Sequence, residues 1–170
     1  DNILTELEQA QGWELLFNGG DMSQWRNYQQ DRVSDKWVVD EGAMVLTGKG
    51  GGDLITRKQY RNFDLLLEWK ISQAGNSGLF ILVDEEPRVI YLHAPEIQFL
   101  DNERHADNKQ ASHLSGSLYD MIAAPQAAQR LAGEWNQLRV LLDDSALAVW
   151  QNSVLCVEIL IGSPAWDELV

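Results

Sequence analysis

The chain has 170 residues, 45% of them hydrophobic, with seven Trp, four Tyr and four Phe, enough to bury one sizeable core in a single domain spanning residues 1–170. Its formal net charge of −13 and its lack of any Lys/Arg cluster exclude a surface that tracks a phosphate backbone, so nucleic acid and anionic membranes are not expected partners. No apolar run approaches the ~20 residues of a membrane span, and the one cysteine, Cys156 in apolar Val154-Leu155-Cys156-Val157, rules out an internal disulfide and reads as a buried, inert thiol.

In chain order, Asp1 to Ala10 is acidic and fits a frayed turn or short helix. Trp13, Leu15 and Phe17 fall on one face of an alternating run and predict a first strand that ends at the Asn18-Gly19-Gly20-Asp21 turn. Trp25 follows in a loop-like segment. Trp37-Val38-Val39 and Met44-Val45-Leu46 flank Asp40-Glu41-Gly42-Ala43, a hairpin signal with Gly where a positive φ is needed. Gly48 to Gly52 lacks the Gly-Lys-Ser/Thr ending of a phosphate loop and reads as a flexible connection.

Phe63 to Ile71 alternates, with Leu65, Leu67, Trp69 and Ile71 predicted for the core and Asp64, Leu66, Glu68 and Lys70 for the opposite face. Gly75-Asn76-Ser77-Gly78 is predicted to turn into a buried strand, Leu79 to Val83. Ala94 to Asn102 alternates again and sends Glu96, Gln98 and Leu100 to one side, Ile97 and Phe99 to the other. If both strands share a sheet, Glu68 and Lys70 lie on the face of Glu96 and Gln98. Asp101 to Ser115 is long and polar, a surface loop over one end or face of the sheet. Gly116 to Ile122 returns to strand character, Ala123 to Ala132 is a Pro/Ala-rich connection, and Trp135 to Leu142 is another strand. A last hairpin joins Ala146–Trp150 to Val154–Leu160 about Gln151-Asn152-Ser153. Short strands, frequent turns and no long amphipathic helix predict an all-β fold, a sandwich of two antiparallel sheets or jelly roll. All three histidines, His93, His105 and His113, fall between Gly75 and Tyr119, so function is sought there.

Several segments, in order, carry a resemblance: Leu16-Phe17-Asn18-Gly19, Trp37-Val38-Val39-Asp40-Glu41-Gly42, Leu67-Glu68-Trp69-Lys70, Gly75-Asn76-Ser77-Gly78, Pro95-Glu96-Ile97-Gln98, Leu100-Asp101-Asn102 with His105, Leu118-Tyr119-Asp120 and Gly133-Glu134-Trp135-Asn136. Together they resemble the 3-keto-disaccharide hydrolase domain family. The resemblance implies a concanavalin A-like jelly-roll β-sandwich, a carbohydrate substrate, and Glu96 and Gln98 pointing into the concave face. Members of that family usually end with a further strand pair bearing a Gly-Leu-Gln-Asp-His-Gly type motif; Val170 comes before any such segment, and a lost C-terminal segment is the expectation. The chain starts at Asp1 without Met, and a periplasmic or extracellular location after removal of a signal is likewise the expectation.

Sugar recognition calls for aromatic planes and planar amides or carboxylates. Asn76, Gln98 and Tyr119 supply these, with Glu68 and Asp101 as further substrate-binding candidates. An ordinary glycosidase needs two carboxylates about 5–5.5 Å or 6.5–9.5 Å apart, and Glu96 with Glu68 is the pair to test, although the glucanase Glu-x-Asp-x-x-Glu motif is absent. A 3-keto sugar allows another route, in which a base removes the acidified C2 proton, the C1 substituent is eliminated, and water adds afterwards. Glu96 then serves as base or acid and His105 as its complement, with Gln98, Asn76 or a divalent metal ion at the developing enolate. Asp101, His105 and Asp120 are the candidate ligands of such an ion, though their spacing fits no metal motif. The rival reading from another class is a non-catalytic carbohydrate-binding module using the same face; a structural interaction domain comes third.

Overall fold

The computed structural model describes residues 2–170. The chain forms two compact units, the first reaching to Gln59 and the second running Tyr60–Val170.

In the first unit, helix α1 (Glu6–Ala10) is a single capped turn: the Glu8 N–H donates to the Thr5 hydroxyl oxygen at 3.2 Å, and the Glu8 carboxylate accepts from the Thr5 N–H at 2.7 Å. Four short strands follow, β1 (Trp25–Asn27), β2 (Trp37–Asp40), β3 (Ala43–Leu46) and β4 (Leu54–Thr56), paired antiparallel as β1–β4 and β2–β3. The β2–β3 hairpin is the one predicted, and Glu41 and Gly42 both take positive φ (47° and 75°), the primed turn that matches strand twist. The strand predicted at Trp13–Phe17 does not form. Side chains take its carbonyls instead: Gln24 Nε2 donates to Leu15 O at 2.8 Å and Trp25 Nε1 to Leu16 O at 2.7 Å. Trp25 itself opens β1 rather than sitting in a loop.

The second unit holds β5 (Phe63–Trp69), β6 (Asn76–Phe80), β7 (Glu96–Leu100), β8 (Asn136–Asp143), β9 (Ala146–Gln151), β10 (Val154–Leu160) and the short helix α2 (Pro164–Asp167). A four-stranded antiparallel sheet has the order β10-β9-β8-β5, and β6 pairs antiparallel with β7. The free side of β7 is taken by residues 116–119, through the Ile97↔Leu118 bridge and the bonds Gln98 N to Ser117 O, Gly116 N to Gln98 O and Tyr119 N to Glu96 O. Gly116–Ile122 therefore pairs only locally, and Asp120 at φ 59° turns the chain away. The run after Phe80 also stops short, because Leu82 is left-handed (φ 54°). Asn76, Ser77 and Gly78 are strand residues, not the predicted turn.

The core lies between these layers. Trp69, Leu138, Val140, Leu142, Leu147, Val149 and Val157 from the four-stranded sheet meet Ile97, Phe99 and Leu118 from the other. Each such fully buried apolar side chain is worth about 1.5–3 kcal/mol. The Trp69 and Phe99 rings stack at 4.4 Å with 10° between their planes, one from each layer. The fold class is thus nearly all-β, with a sandwich of antiparallel sheets in the second unit.

This packing corrects one expectation. Trp69 points inward, so the alternation of β5 sends exposed Glu68 outward from the four-stranded sheet, where it accepts a long 3.4 Å bond from Gln137 Nε2. Phe99 points inward from β7, so Glu96 leaves the other layer in the opposite direction. Glu68 and Glu96 share no sheet and lie on opposite sides of layers that alone are about 10 Å apart. They form no glycosidase pair.

Candidate active site

Strand register fixes which side chains share the outer face of the β6–β7 layer. Asn76 lies opposite Leu100, Gly78 opposite Gln98 and Phe80 opposite Glu96, while Ser117 and Tyr119 continue the Gln98 and Glu96 rows on the far side of β7. Asn76, Glu96, Gln98 and Tyr119 therefore stand on one face, as four of the seven predicted residues require. The Glu96 side chain lies across Gly78: a Cβ built there would come within 2.7 Å of Glu96 Cγ and Cδ. Only glycine leaves room for that carboxylate to lie down along the sheet.

Loop 101–115 folds over this face, as predicted. Ser117 Oγ donates to Ala111 O at 3.2 Å, Ser115 Oγ to Gln98 O at 3.3 Å, and the Ser115 N–H to Asn102 Oδ1 at 2.9 Å. Its cover explains a second correction. Gln98 does not lie on a solvated side but is 1% exposed, and its Oε1 has no hydrogen-bond partner among the described residues. A buried amide oxygen left this way is an acceptor awaiting a donor.

The same loop brings in groups that sequence reasoning did not gather. His113, 7% exposed, places Nδ1 2.8 Å from Asp107 Oδ1 and Nε2 3.2 Å from Asp120 Oδ1. Its ring stacks on Tyr119 at 4.3 Å, and the Tyr119 hydroxyl donates to Asp107 Oδ2 at 2.9 Å. Burial alone pushes the His113 pKa down, but hydrogen bonds to Asp107 and Asp120 and the two carboxylate charges outweigh it and raise the value above 6.5. That suits the geometry, since only the imidazolium can donate from both ring nitrogens. Asp107 is held below the usual carboxylate range, first by its bond from His113, against some burial, then by Tyr119 and by the charges of His113 and His105. Tyr119 is pushed up to about 12, first by burial, then by its bond to Asp107 and by neighbouring negative charge that includes Glu96. The Tyr119 hydroxyl stays protonated beside Glu96, and Asp107 stays ionised.

His105 reaches this network from the loop: its Nδ1 accepts the Asp107 backbone N–H at 3.1 Å. A ring whose Nδ1 accepts a hydrogen bond offers Nε2–H as its donor. Asp101 has a different task. Its buried carboxylate accepts the N–H groups of Ala74 (2.8 Å) and Glu103 (3.1 Å), which cap the start of the loop, and those bonds outweigh burial and lower its pKa. Asp101 thus acts as a positioning residue for loop 101–115. Asp101 is tied to backbone and Asp120 to His113, so these two and His105 are not assembled as a metal site, and among the described residues no group of three His, Cys, Asp or Glu side chains is arranged to hold a metal ion. The donor set does not fit a divalent cation, and no step is derived through one. Cys156 is buried and desolvated, which raises its pKa and keeps the thiol inert as expected.

A nearly all-β domain with a carboxylate, a protonated phenol and a linked histidine gathered on one roofed sheet face is an arrangement for acid/base work on a polar substrate. Residues 12–170 match the family described as the 3-keto-alpha-glucoside-1,2-lyase-like domain, and the chain belongs to it. A curated relative from Bacteroides thetaiotaomicron, named 3-keto-disaccharide hydrolase, is 37% identical over 95% of this chain, and the match spans 63% of that relative's length. A crystal structure from Parabacteroides distasonis, described as that of a proposed glycosyl hydrolase, is 32% identical and superposes with a TM-score of 0.90, covering 98% of this chain and 80% of that one. Another from the same organism and with the same description is 26% identical with a TM-score of 0.62, covering 85% and 65%.

Proposed function

We propose that this domain cleaves the glycosidic bond of 3-keto-glycosides, disaccharides included, on a concanavalin A-like jelly-roll scaffold, by elimination followed by hydration. The observation that carries this reading is the Glu96 carboxylate laid over Gly78 beside protonated Tyr119, on a face with no second carboxylate from Glu68. A ketone at C3 acidifies C2–H. Glu96 takes that proton and the electron pair moves onto the C3 oxygen as an enolate. Collapse of the enolate expels the C1 oxygen, which takes a proton from His105 Nε2–H, leaving a 1,2-unsaturated 3-keto sugar and the free alcohol or second sugar. Water then adds at C1, its released proton restoring His105 Nε2–H, and Glu96 returns its proton to C2, giving the 3-keto sugar. Tyr119 and the Gln98 amide lie on the Glu96 face, where fixed dipoles favour charge developing on oxygen. The family name and the relative from B. thetaiotaomicron support the keto substrate.

The test is release of free sugar from a 3-keto-glucoside and from its unoxidised parent, by wild type and Glu96→Gln. Turnover of the keto substrate alone, reduced at least about a hundredfold in the variant, is expected. Saturable binding of both sugars without turnover would establish a carbohydrate-binding module instead. We further propose a periplasmic or extracellular location, which suits a domain whose one thiol is buried and indifferent to an oxidising compartment; cell fractionation tests it.

A further inference from the structure

A cleft of about 420 Å3 lies between loop 101–115 and residues 126–132, and neither Glu96, Gln98 and Tyr119 nor Asp107 and His113 line it. Its size is that of a small-molecule site. Its polar lining is rich in amides, Asn102, Asn108, Gln126 and Gln129, joined by the Asp101 carboxylate, already engaged by the Ala74 and Glu103 N–H groups, the Glu103 carboxylate and the Arg130 guanidinium. Leu114 and exposed Leu131 supply apolar surface. Asn108 is fixed in orientation, because its Nδ2 donates to Asn102 O at 2.8 Å, and its Oδ1 is buried without a partner among the described residues. That oxygen calls for a donor from a ligand. Arg130 already gives one N–H to Trp135 O at 2.9 Å and keeps others to offer.

These groups select a ligand class. An anion meets Glu103 and a protein of net charge −13, and a cation meets Arg130. A neutral molecule with adjacent hydroxyls satisfies every group: amides both donate and accept, the carboxylate accepts, the guanidinium donates, and C–H faces lie on the leucines. We propose that this cleft is a second saccharide site, taking one neutral pyranose ring apart from the Glu96 face. The choice of a sugar among neutral polyols rests on the carbohydrate reading of that face.

The experiment is a 1H–15N NMR titration of the whole domain with methyl α-glucopyranoside, run on wild type, Glu96→Gln, Gln126→Ala and Asn108→Ser. Saturable shifts of the Asn102, Asn108 and Gln126 side-chain amides are expected, unchanged in Glu96→Gln. Gln126 is exposed, so Gln126→Ala should keep the fold and raise the Kd about fivefold, the loss of one hydrogen bond. Shifts confined to Tyr119 and His113, or no shift at the cleft while the keto substrate is turned over, would overturn the second site and leave the proposed activity standing. Cleft binding with no turnover of any keto-glycoside would do the reverse.

Discussion

Glu96 lies diagonal to Gly78 across the β6–β7 ladder, so close that the glutamate side chain occupies the space a Cβ at position 78 would need. Gly78 carries no positive φ, so alanine there is compatible with the backbone and its effect reports on Glu96 alone. Gly78→Ala should leave the thermal midpoint within a few degrees of wild type and cut kcat about tenfold or more, since a misplacement of about 1 Å is enough for a large loss. Unchanged kcat would show that the pose of Glu96 is immaterial.

His105 is cast as the acid for the leaving oxygen through Nε2–H, its tautomer fixed by the Asp107 N–H. His105→Ala should lower kcat on a 3-keto-disaccharide about a hundredfold. On a nitrophenyl 3-keto-glucoside, whose leaving group needs no proton, the loss should shrink to a few-fold. Equal losses on both substrates would remove His105 from that role.

The Asp107–His113–Asp120 cluster gives stability a pH dependence whose sign follows from the shifts. His113 has a raised folded pKa, so its contribution is full below about 6.5 and fades as pH climbs through the folded value. Asp107 has a lowered one, so its contribution holds above about 3.8 and fades as pH falls below that. The cluster supports the fold most between these limits. Denaturant titrations of wild type and His113→Gln should diverge most near pH 5–6, by about 1–3 kcal/mol, and converge above neutrality. A pH-independent gap would exclude the imidazolium.

Gln98 Oε1 is buried without a partner among the described residues, a cost the fold carries in the absence of a donor. Gln98→Leu should leave the protein as stable as wild type or more so, while weakening the keto substrate in KM or kcat at least about fivefold, the worth of one hydrogen bond. Lower stability with normal kinetics would make the amide purely structural.

Glu68→Gln provides the complementary control. Exposed on the outer side of the four-stranded sheet, it should leave kcat/KM within about twofold of wild type. A large loss would restore the Glu68–Glu96 pair that the layer arrangement separates.

Local pattern determined much of this protein. The two-residue period of β5 and β7 sorted which side chains share a face of each strand, because alternation is a property of the single strand. The β2–β3 hairpin and the final hairpin were legible from their turn residues, and Glu96, Asn76 and Tyr119 from the block that held the histidines. What a strand pairs with is not local. Glu68 and Glu96 look equivalent in sequence, yet β5 joins β8 and β7 joins β6, and the stacked Trp69 and Phe99 turn the two carboxylates outward from opposite layers. Likewise, Trp13–Phe17 alternates well but lost its ladder to side-chain donors nine residues away. Asp107 and His113 carried no readable signal, since five loop residues separate Asp107 from the histidine it holds only after the loop closes over the sheet. Pairing, layer order and loop closure are long-range contacts made by the whole fold, and these alone decided which of the polar residues would meet.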